Sequence, residues 1–304
     1  MQPSANSAGM EKLVAGVELG GTKAIVVRGR GSMITDCETF PTTTPAETLG
    51  ACLSVLSQWN EEQPLDAFGI ASFGPVRVDP TASDYGHILR TPKQGWSNFD
   101  VLGVLANDLD CPAAIDTDVN GAALAECAYG AGRGCRSLVY LTIGTGLGGG
   151  ILFDGKPIVG ALHPEIGHLR LKRSRDDVFA GNCPFHGDCV EGLVSGPALA
   201  ARFGIDPAQV AADDPRWEFV ASDLAQLFAT LLLTLSCDRI LVGGGVATNR
   251  PELIAHARSM VPQLLAGYLP DLDEATIRER IRRPELANRA GPVGALMVAE
   301  RALA

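Results

Sequence analysis

Two short segments concentrate side chains that can do chemistry. His163-Pro-Glu-Ile-Gly-His168 sets an acid between two imidazoles, and Cys183-Pro-Phe-His-Gly-Asp-Cys189 follows with two thiols and a third imidazole. The C-x-x-H-x-x-C spacing offers three soft metal ligands, and one upstream histidine completes the four-coordinate shell that Zn²⁺ takes in closed structural sites. We assign the fourth place to His168, so the expected set is His168, Cys183, His186 and Cys189. Four protein ligands leave no position for water, which favours a structural over a catalytic zinc. Pro184 and Gly187 suit a tight metal knuckle, and the absence of any C-x-x-C argues against a redox role. Glu165, between the histidines, is placed to accept hydrogen bonds from the hydroxyls of a sugar; the plain alternative is a solvated loop carboxylate.

Three glycine turns point to phosphate. Gly20-Gly21-Thr22-Lys23 offers backbone N–H groups, a hydroxyl and a cation for the outer phosphates of a nucleotide. Glu18, just before it, suits Mg²⁺, a hard cation that prefers carboxylate and water oxygens beside bound phosphate. The turn is not a P-loop, because Ala24 follows the lysine. Gly144-Thr145-Gly146 and Gly243-Gly244-Gly245 also allow close backbone approach to a ligand. Asp116-Thr-Asp-Val-Asn120 lies where an apolar strand gives way to a helix. Asn120 can cap that helix, which leaves Asp118 to take a proton from an attacking hydroxyl, as a general base does in phosphoryl transfer. Asn98 can donate to and accept from vicinal hydroxyls, and Trp96 reads as packing.

The elements that must position these groups follow from periodicity. Val14 to Leu19, Lys23 to Arg28 and Met33 to Phe40 read as an antiparallel meander, Pro45 to Trp59 as a helix, and Ala67 to Phe73 as a strand. A helix near Phe99 to Leu109 and a strand at Ala113 to Ile115 complete a first block. After Asn120 the pattern restarts, with a helix at Ala122 to Tyr129, a strand at Leu138 to Ile143, a glycine turn over Gly144 to Gly150 and a strand at Ile151 to Phe153. Helices at Pro197 to Arg202 and Glu218 to Leu235 and a strand at Arg239 to Val242 follow, and the last helix, Pro292 to Leu303, packs back on the first half. Strand, Gly-Thr turn, strand occurs twice, which predicts two successive α/β domains with a ligand cleft between them. The expected boundaries are a tail over 1–10, a small domain over 11–119 joined by the helix at 291–304, and a larger one over 120–290 with a zinc-binding insertion at 163–190.

The 304 residues, 46% of them hydrophobic, suffice for two cores. A net charge of −10 disfavours nucleic acid, whose non-specific binding rests on Lys and Arg neutralising phosphates. The eight cysteines follow no disulfide framework, which favours a reducing cytoplasm. Residues Met1 to Gly9 carry neither a basic start nor an apolar run, so neither a signal peptide nor a membrane anchor is expected there. No run approaches the roughly 20 apolar residues of a membrane span.

Taken together, Gly16-Val-Glu-Leu-Gly-Gly-Thr-Lys23, Thr91-Pro-Lys-Gln-Gly-Trp-Ser-Asn98, the Asp116 to Asn120 segment, Thr142-Ile-Gly-Thr-Gly146 and the two histidine and cysteine segments resemble the bacterial fructokinases of the ROK (repressor, open reading frame, kinase) family. The resemblance implies an actin-like ATPase (ribonuclease-H-like) fold, duplicated as two α/β domains around a cleft, and usually a homodimer. It implies transfer of the γ-phosphoryl of ATP to the 6-hydroxyl of a hexose, with fructose the first choice and mannose or glucose the alternatives. On this resemblance the base falls on Asp118, sugar contacts on Asn98, Glu165 and His168, and nucleotide contacts on Thr22, Lys23, Thr145, Pro197 and Gly243 to Gly245. A sugar-sensing repressor of the same family would need a helix-turn-helix, for which about a dozen residues before the first strand are too few.

Overall fold

A computed structural model describes residues 12–303. The tail expected over residues 1–10 lies outside the described residues. The chain divides into two compact units, Met1–Gly121 with Gly291–Ala304, and Ala122–Ala290.

The first unit opens with the strands β1 (Val14–Leu19), β2 (Lys23–Arg30) and β3 (Met33–Pro41), continues through α1 (Pro45–Glu62) and β4 (Ala67–Ser72), and reaches a small hairpin, β5 (His87–Ile88) with β6 (Phe99–Asp100). Helix α2 (Val101–Ala106) and β7 (Ala113–Thr117) come next, and α3 (Asp118–Tyr129) begins in this unit and continues past its boundary at Gly121. The main sheet runs β3-β2-β1-β4-β7. The meander β3, β2, β1 is antiparallel, and β4 and β7 add parallel strands on the far side of β1. Central β1 and β4 are buried along nearly their whole length, as strands covered on both faces must be. One face packs on α1, whose Leu49, Cys52, Leu56 and Trp59 recur at helical spacing.

The second unit contains β8 (Ser137–Ile143), β9 (Leu147–Phe153), β10 (Lys156–Pro157), α4 (Val190–Val194), α5 (Gly196–Phe203), α6 (Arg216–Leu235), β11 (Arg239–Gly243), α7 (Gly244–Asn249), α8 (Pro251–Leu265), α9 (Glu274–Arg280) and β12 (Ile281–Arg282). Its sheet runs β10-β9-β8-β11-β12, again an antiparallel meander followed by two parallel strands. The same order and sense in both units is the duplicated arrangement expected of the ribonuclease-H-like fold. The last helix, α10 (Ala290–Arg301), belongs with the first unit.

Helix α10 lies close on β1 and β4 because Gly16 and Gly69, paired in register, present no side chain to it. A Cβ added to Gly69 would fall 2.2 Å from the backbone nitrogen of Ala299 and 2.5 Å from the carbonyl oxygen of Ala295. Backbone cannot swing aside as a side chain can, so Gly69→Ala must lift the helix. We expect a loss of about 1–3 kcal/mol, read as a lower urea midpoint at unchanged slope; an unshifted midpoint would show that α10 contributes nothing to the first core.

Several boundaries differ from expectation. Helix α3 starts at Asp118 and not at Ala122, so Asn120 lies inside it and does not cap it; the Thr117 hydroxyl accepts from the Asn120 N–H at 3.1 Å instead. Phe99 and Asp100 pair as a strand, and α2 is correspondingly shorter. The glycine turn closes by Gly146, because Gly148 to Gly150 have already joined β9 opposite β8. Helices α8 and α9, over 251–280, are additional to the elements expected. Helix α6 is long and apolar enough to cross a membrane by length and composition, contrary to the reading above, but 56% of its apolar window is buried. Leu224, Leu227 and Phe228 sit in the second core, the ordinary setting of a central soluble helix.

Candidate active site

In the first unit, β1 delivers Glu18 and then turns through Gly20 to Thr22 into β2. Burial pushes the Glu18 carboxyl above its usual range, partly offset by the Lys23 charge. One of its oxygens, Oε2, is buried without a hydrogen-bond partner, and a Cβ at Gly291 would overlap the other carboxylate oxygen. A buried carboxylate oxygen in want of a partner fits a hard cation such as Mg²⁺ or its bound water.

At the β7–α3 junction the structure separates two carboxylates that the sequence leaves equivalent. Asp116 is buried and fully engaged: Oδ1 accepts from the Thr117 N–H at 2.8 Å and the Asn120 side-chain amide at 2.7 Å, and Oδ2 accepts from Arg301 at 2.7 Å. Asp118 is half-buried at the first position of α3, with one oxygen accepting from the Val119 N–H at 2.8 Å. A base must reach its substrate, so the accessible Asp118 suits the task and the saturated Asp116 does not.

Asn98 is exposed and holds a left-handed backbone at φ 58°. Non-glycine residues occupy that region seldom, asparagine more readily than most, and such positions gather at ligand sites. The loop is anchored by Trp96, which is fully buried, donates from Nε1 to the Thr43 carbonyl at 2.9 Å and meets Phe73 edge-on at 5.3 Å. Trp96 is packing, as the sequence reading has it.

In the second unit, His168, Cys183, His186 and Cys189 place their ligand atoms within 4.8 Å of one another. Cys189 Sγ lies 3.5 Å from His168 Nδ1, and Cys183 Sγ lies 3.8 Å from both His168 Nδ1 and His186 Nδ1. Tetrahedral zinc with ordinary Zn–S and Zn–N bonds would separate sulfur and nitrogen by about 3.5 Å, so the donor set fits that ion in type, number and spacing. Reciprocal backbone bonds between Cys183 and Gly187 form the knuckle, with Gly187 at φ 67°. His163 stands outside the cluster; its imidazole lies 3.5 Å from Glu165.

Glu165 is held by the short turn Ile166–His168, in which its carbonyl accepts from the His168 N–H at 3.0 Å. Burial first, and then the charge of Glu191, pushes its carboxyl up to about 7. With 40% of the side chain exposed, water tempers that shift. Glu191 escaped the sequence reading. It stands on α4 two residues beyond Cys189, accepts from the Leu147 N–H at 3.0 Å and thereby ties the metal knuckle to the glycine turn. Its closeness to the cysteine motif was the only signal in the sequence.

That turn, the start of α5 and the end of β11 come together. The Gly144 carbonyl accepts from the Gly196 N–H at 2.7 Å, beside Pro197 in the first turn of α5. Gly244, at φ 86°, lies so close to Ile143 that a Cβ would fall 2.5 Å from its backbone. Thr145 is exposed at the tip. Thr145, Gly146, Pro197 and Gly243 to Gly245 therefore belong to one face at the strand ends of the second sheet.

A family model described as the ROK family matches residues 14–302. The fructokinase of Zymomonas mobilis is 40% identical over 299 residues, spanning 95% of this chain and 97% of that protein. The fructokinase of Pediococcus pentosaceus is 37% identical over 294 residues, spanning 96% and 99%. Among solved structures, a ROK hexokinase from Thermus thermophilus superposes with a TM-score of 0.76 at 26% identity, covering 96% of this chain and 99% of its own.

Proposed function

The chain belongs to the ROK family, and on that premise we propose that it is an ATP-dependent fructokinase, transferring the γ-phosphoryl of ATP to the 6-hydroxyl of D-fructose. The observation that carries this reading is the accessible Asp118 beside the saturated Asp116, in a chain 37% identical to one fructokinase and 40% to another over nearly its full length. Asp118 takes the proton of the 6-hydroxyl as that oxygen attacks phosphorus, while Asn98 and Glu165 orient the sugar with His168 beside them. Gly20, Gly21, Thr22 and Lys23 in the first unit and Thr145, Gly146, Pro197, Gly243, Gly244 and Gly245 in the second bind the nucleotide. Glu18 would hold Mg²⁺, which supplies charge neutralisation at the phosphates. His168, Cys183, His186 and Cys189 would hold a structural zinc that stiffens the segment carrying Glu165. We place the enzyme in the cytoplasm as a homodimer, with hexose and ATP as its partners and without nucleic acid or membrane.

A coupled assay of ATP consumption on fructose, mannose and glucose tests the reading. We expect the highest kcat/KM on fructose; a higher value on glucose would overturn the choice of sugar, and no turnover on any hexose would overturn the kinase.

Glu165→Gln is expected to raise KM for fructose about tenfold, the cost of replacing an ionic hydrogen bond by a neutral one, with KM for ATP little changed. Because the carboxyl is held above its ordinary range, the accepting carboxylate is complete at alkaline pH and is lost as pH falls toward its titration point. KM for fructose should accordingly rise between pH 8 and pH 6 in the wild type and stay flat in the glutamine variant. A rise in both KM values together would remove Glu165 from the sugar.

A further inference from the structure

We propose that Lys93 is a positioning residue that reaches from the loop carrying Asn98 to hold the Gly20 to Thr22 turn in its phosphate-binding form, an inference that rests on the kinase reading above. Three carbonyl oxygens of the turn are fastened in succession. Gly20 accepts from the Thr42 hydroxyl at 2.8 Å, Gly21 accepts from the Lys93 ammonium at 2.6 Å, and Thr22 accepts from the Thr42 N–H at 2.9 Å. A trans peptide points its N–H opposite to its carbonyl. Fastening these three oxygens therefore directs the N–H groups of Gly21, Thr22 and Lys23 away from Thr42 and Lys93, as a row of donors for an anion. The side of Gly21 is open, since a Cβ there would meet nothing within 4 Å.

Thr42 belongs to the chain that runs beside the turn, so two of the fastenings are local. The middle one is not: Lys93 lies 72 residues from Gly21. The Lys93 ammonium also donates to the Thr42 carbonyl at 3.4 Å, and no carboxylate forms an ion pair with it among the described residues. Its charge thus remains at the turn, adding to that of Lys23, and an ammonium donor makes a bond roughly twice as strong as a neutral one. The sequence assigns the phosphate cation to Lys23 alone, whereas the fold adds a second lysine from the motif Thr91 to Asn98.

Asn98 does not depend on that ammonium. Trp96 is anchored on Thr43, the Ser97 hydroxyl donates to the Thr91 carbonyl at 2.9 Å, and the Asn98 N–H donates to the Leu89 carbonyl at 3.4 Å. Removing the Lys93 charge should then loosen the phosphate turn while the sugar-side end of the loop stays in place.

The experiment compares wild type, Lys93→Met, which keeps an apolar stem, and Lys93→Arg, which restores a cation. Steady-state KM values for ATP and fructose are measured on the full chain, together with the Kd of a non-hydrolysable ATP analogue by calorimetry and the Tm. In the methionine variant we expect KM for ATP and the analogue Kd to rise about tenfold, the loss of one charge-assisted hydrogen bond, with KM for fructose within about threefold and Tm nearly unchanged. Arginine should recover most of the nucleotide affinity. A rise in KM for fructose without one for ATP would make Lys93 a sugar ligand instead. A lowered Tm with both constants raised and no rescue by arginine would make it merely structural, and wild-type behaviour of the methionine variant would also overturn the proposal. A wild type that binds the analogue yet does not phosphorylate fructose would defeat the assigned activity, and the calorimetric comparison would still decide the role of Lys93.

Discussion

Asp118→Asn is expected to lower kcat by about 10²–10⁴-fold, the usual contribution of a positioned general base, while KM for fructose and ATP stays within a few-fold of wild type. The substitution keeps the size of the side chain and an oxygen that can accept from the Val119 N–H, so the start of α3 should survive it. What it removes is the site that takes the proton. Asp116 cannot substitute, because Thr117, Asn120 and Arg301 already claim both of its oxygens and it is buried. Single-turnover and steady-state rates would check this together, and a variant retaining more than about a tenth of the wild-type kcat would move the base elsewhere.

Cys189→Ser is expected to abolish zinc binding and to weaken fructose selectively. A hydroxyl is a poor replacement for a thiolate, and Cys189 is fully buried against His168. In small zinc-dependent domains the metal contributes on the order of 10 kcal/mol to folding. Here the second core, built on β8 and α6, stands without the knuckle, so the loss should be smaller and appear as a Tm lowered by roughly 5–10 °C at about 2–4 °C per kcal/mol. KM for fructose should rise, because the His168 N–H bonds the Glu165 carbonyl and the metal would fix that histidine. Chelation of the wild type should reproduce both effects. Elemental analysis finding no zinc in the pure protein would sink the assignment, as would a serine variant of unchanged Tm and KM.

Much of the site was legible because its chemistry is local. The metal ligands Cys183, His186 and Cys189 fall within seven consecutive residues, and a hairpin through Gly187 needs nothing from the rest of the chain to bring them together. The glycine turns at Gly20 and Gly144 follow strands whose burial is visible as apolar runs. The helices over 251–280 are harder to read: α8 carries an apolar stripe of Leu253, Ile254, Ala257, Val261 and Leu265, but Pro262 inside it reads as a break, and α9 is a short charged helix with one buried residue, Ile277.

By itself the sequence determined the main strands and the first long helix of the first unit, the strand, glycine turn and strand that open the second, the ligand types of the metal knuckle and the presence of a carboxylate pair at a strand-to-helix junction, since each depends on residues near one another in the chain. Tertiary structure decided which carboxylate is spent: Arg301, 185 residues from Asp116, and Asn120 together saturate one and leave its neighbour accessible. It also decided that Thr117 and not Asn120 caps α3, that Glu191 reaches the Gly144 turn, and that Lys93 reaches the Gly20 turn. Hydrogen bonds are short-ranged and directional, so which donor meets which acceptor across long loops is settled only when the packed core has fixed where the backbone runs.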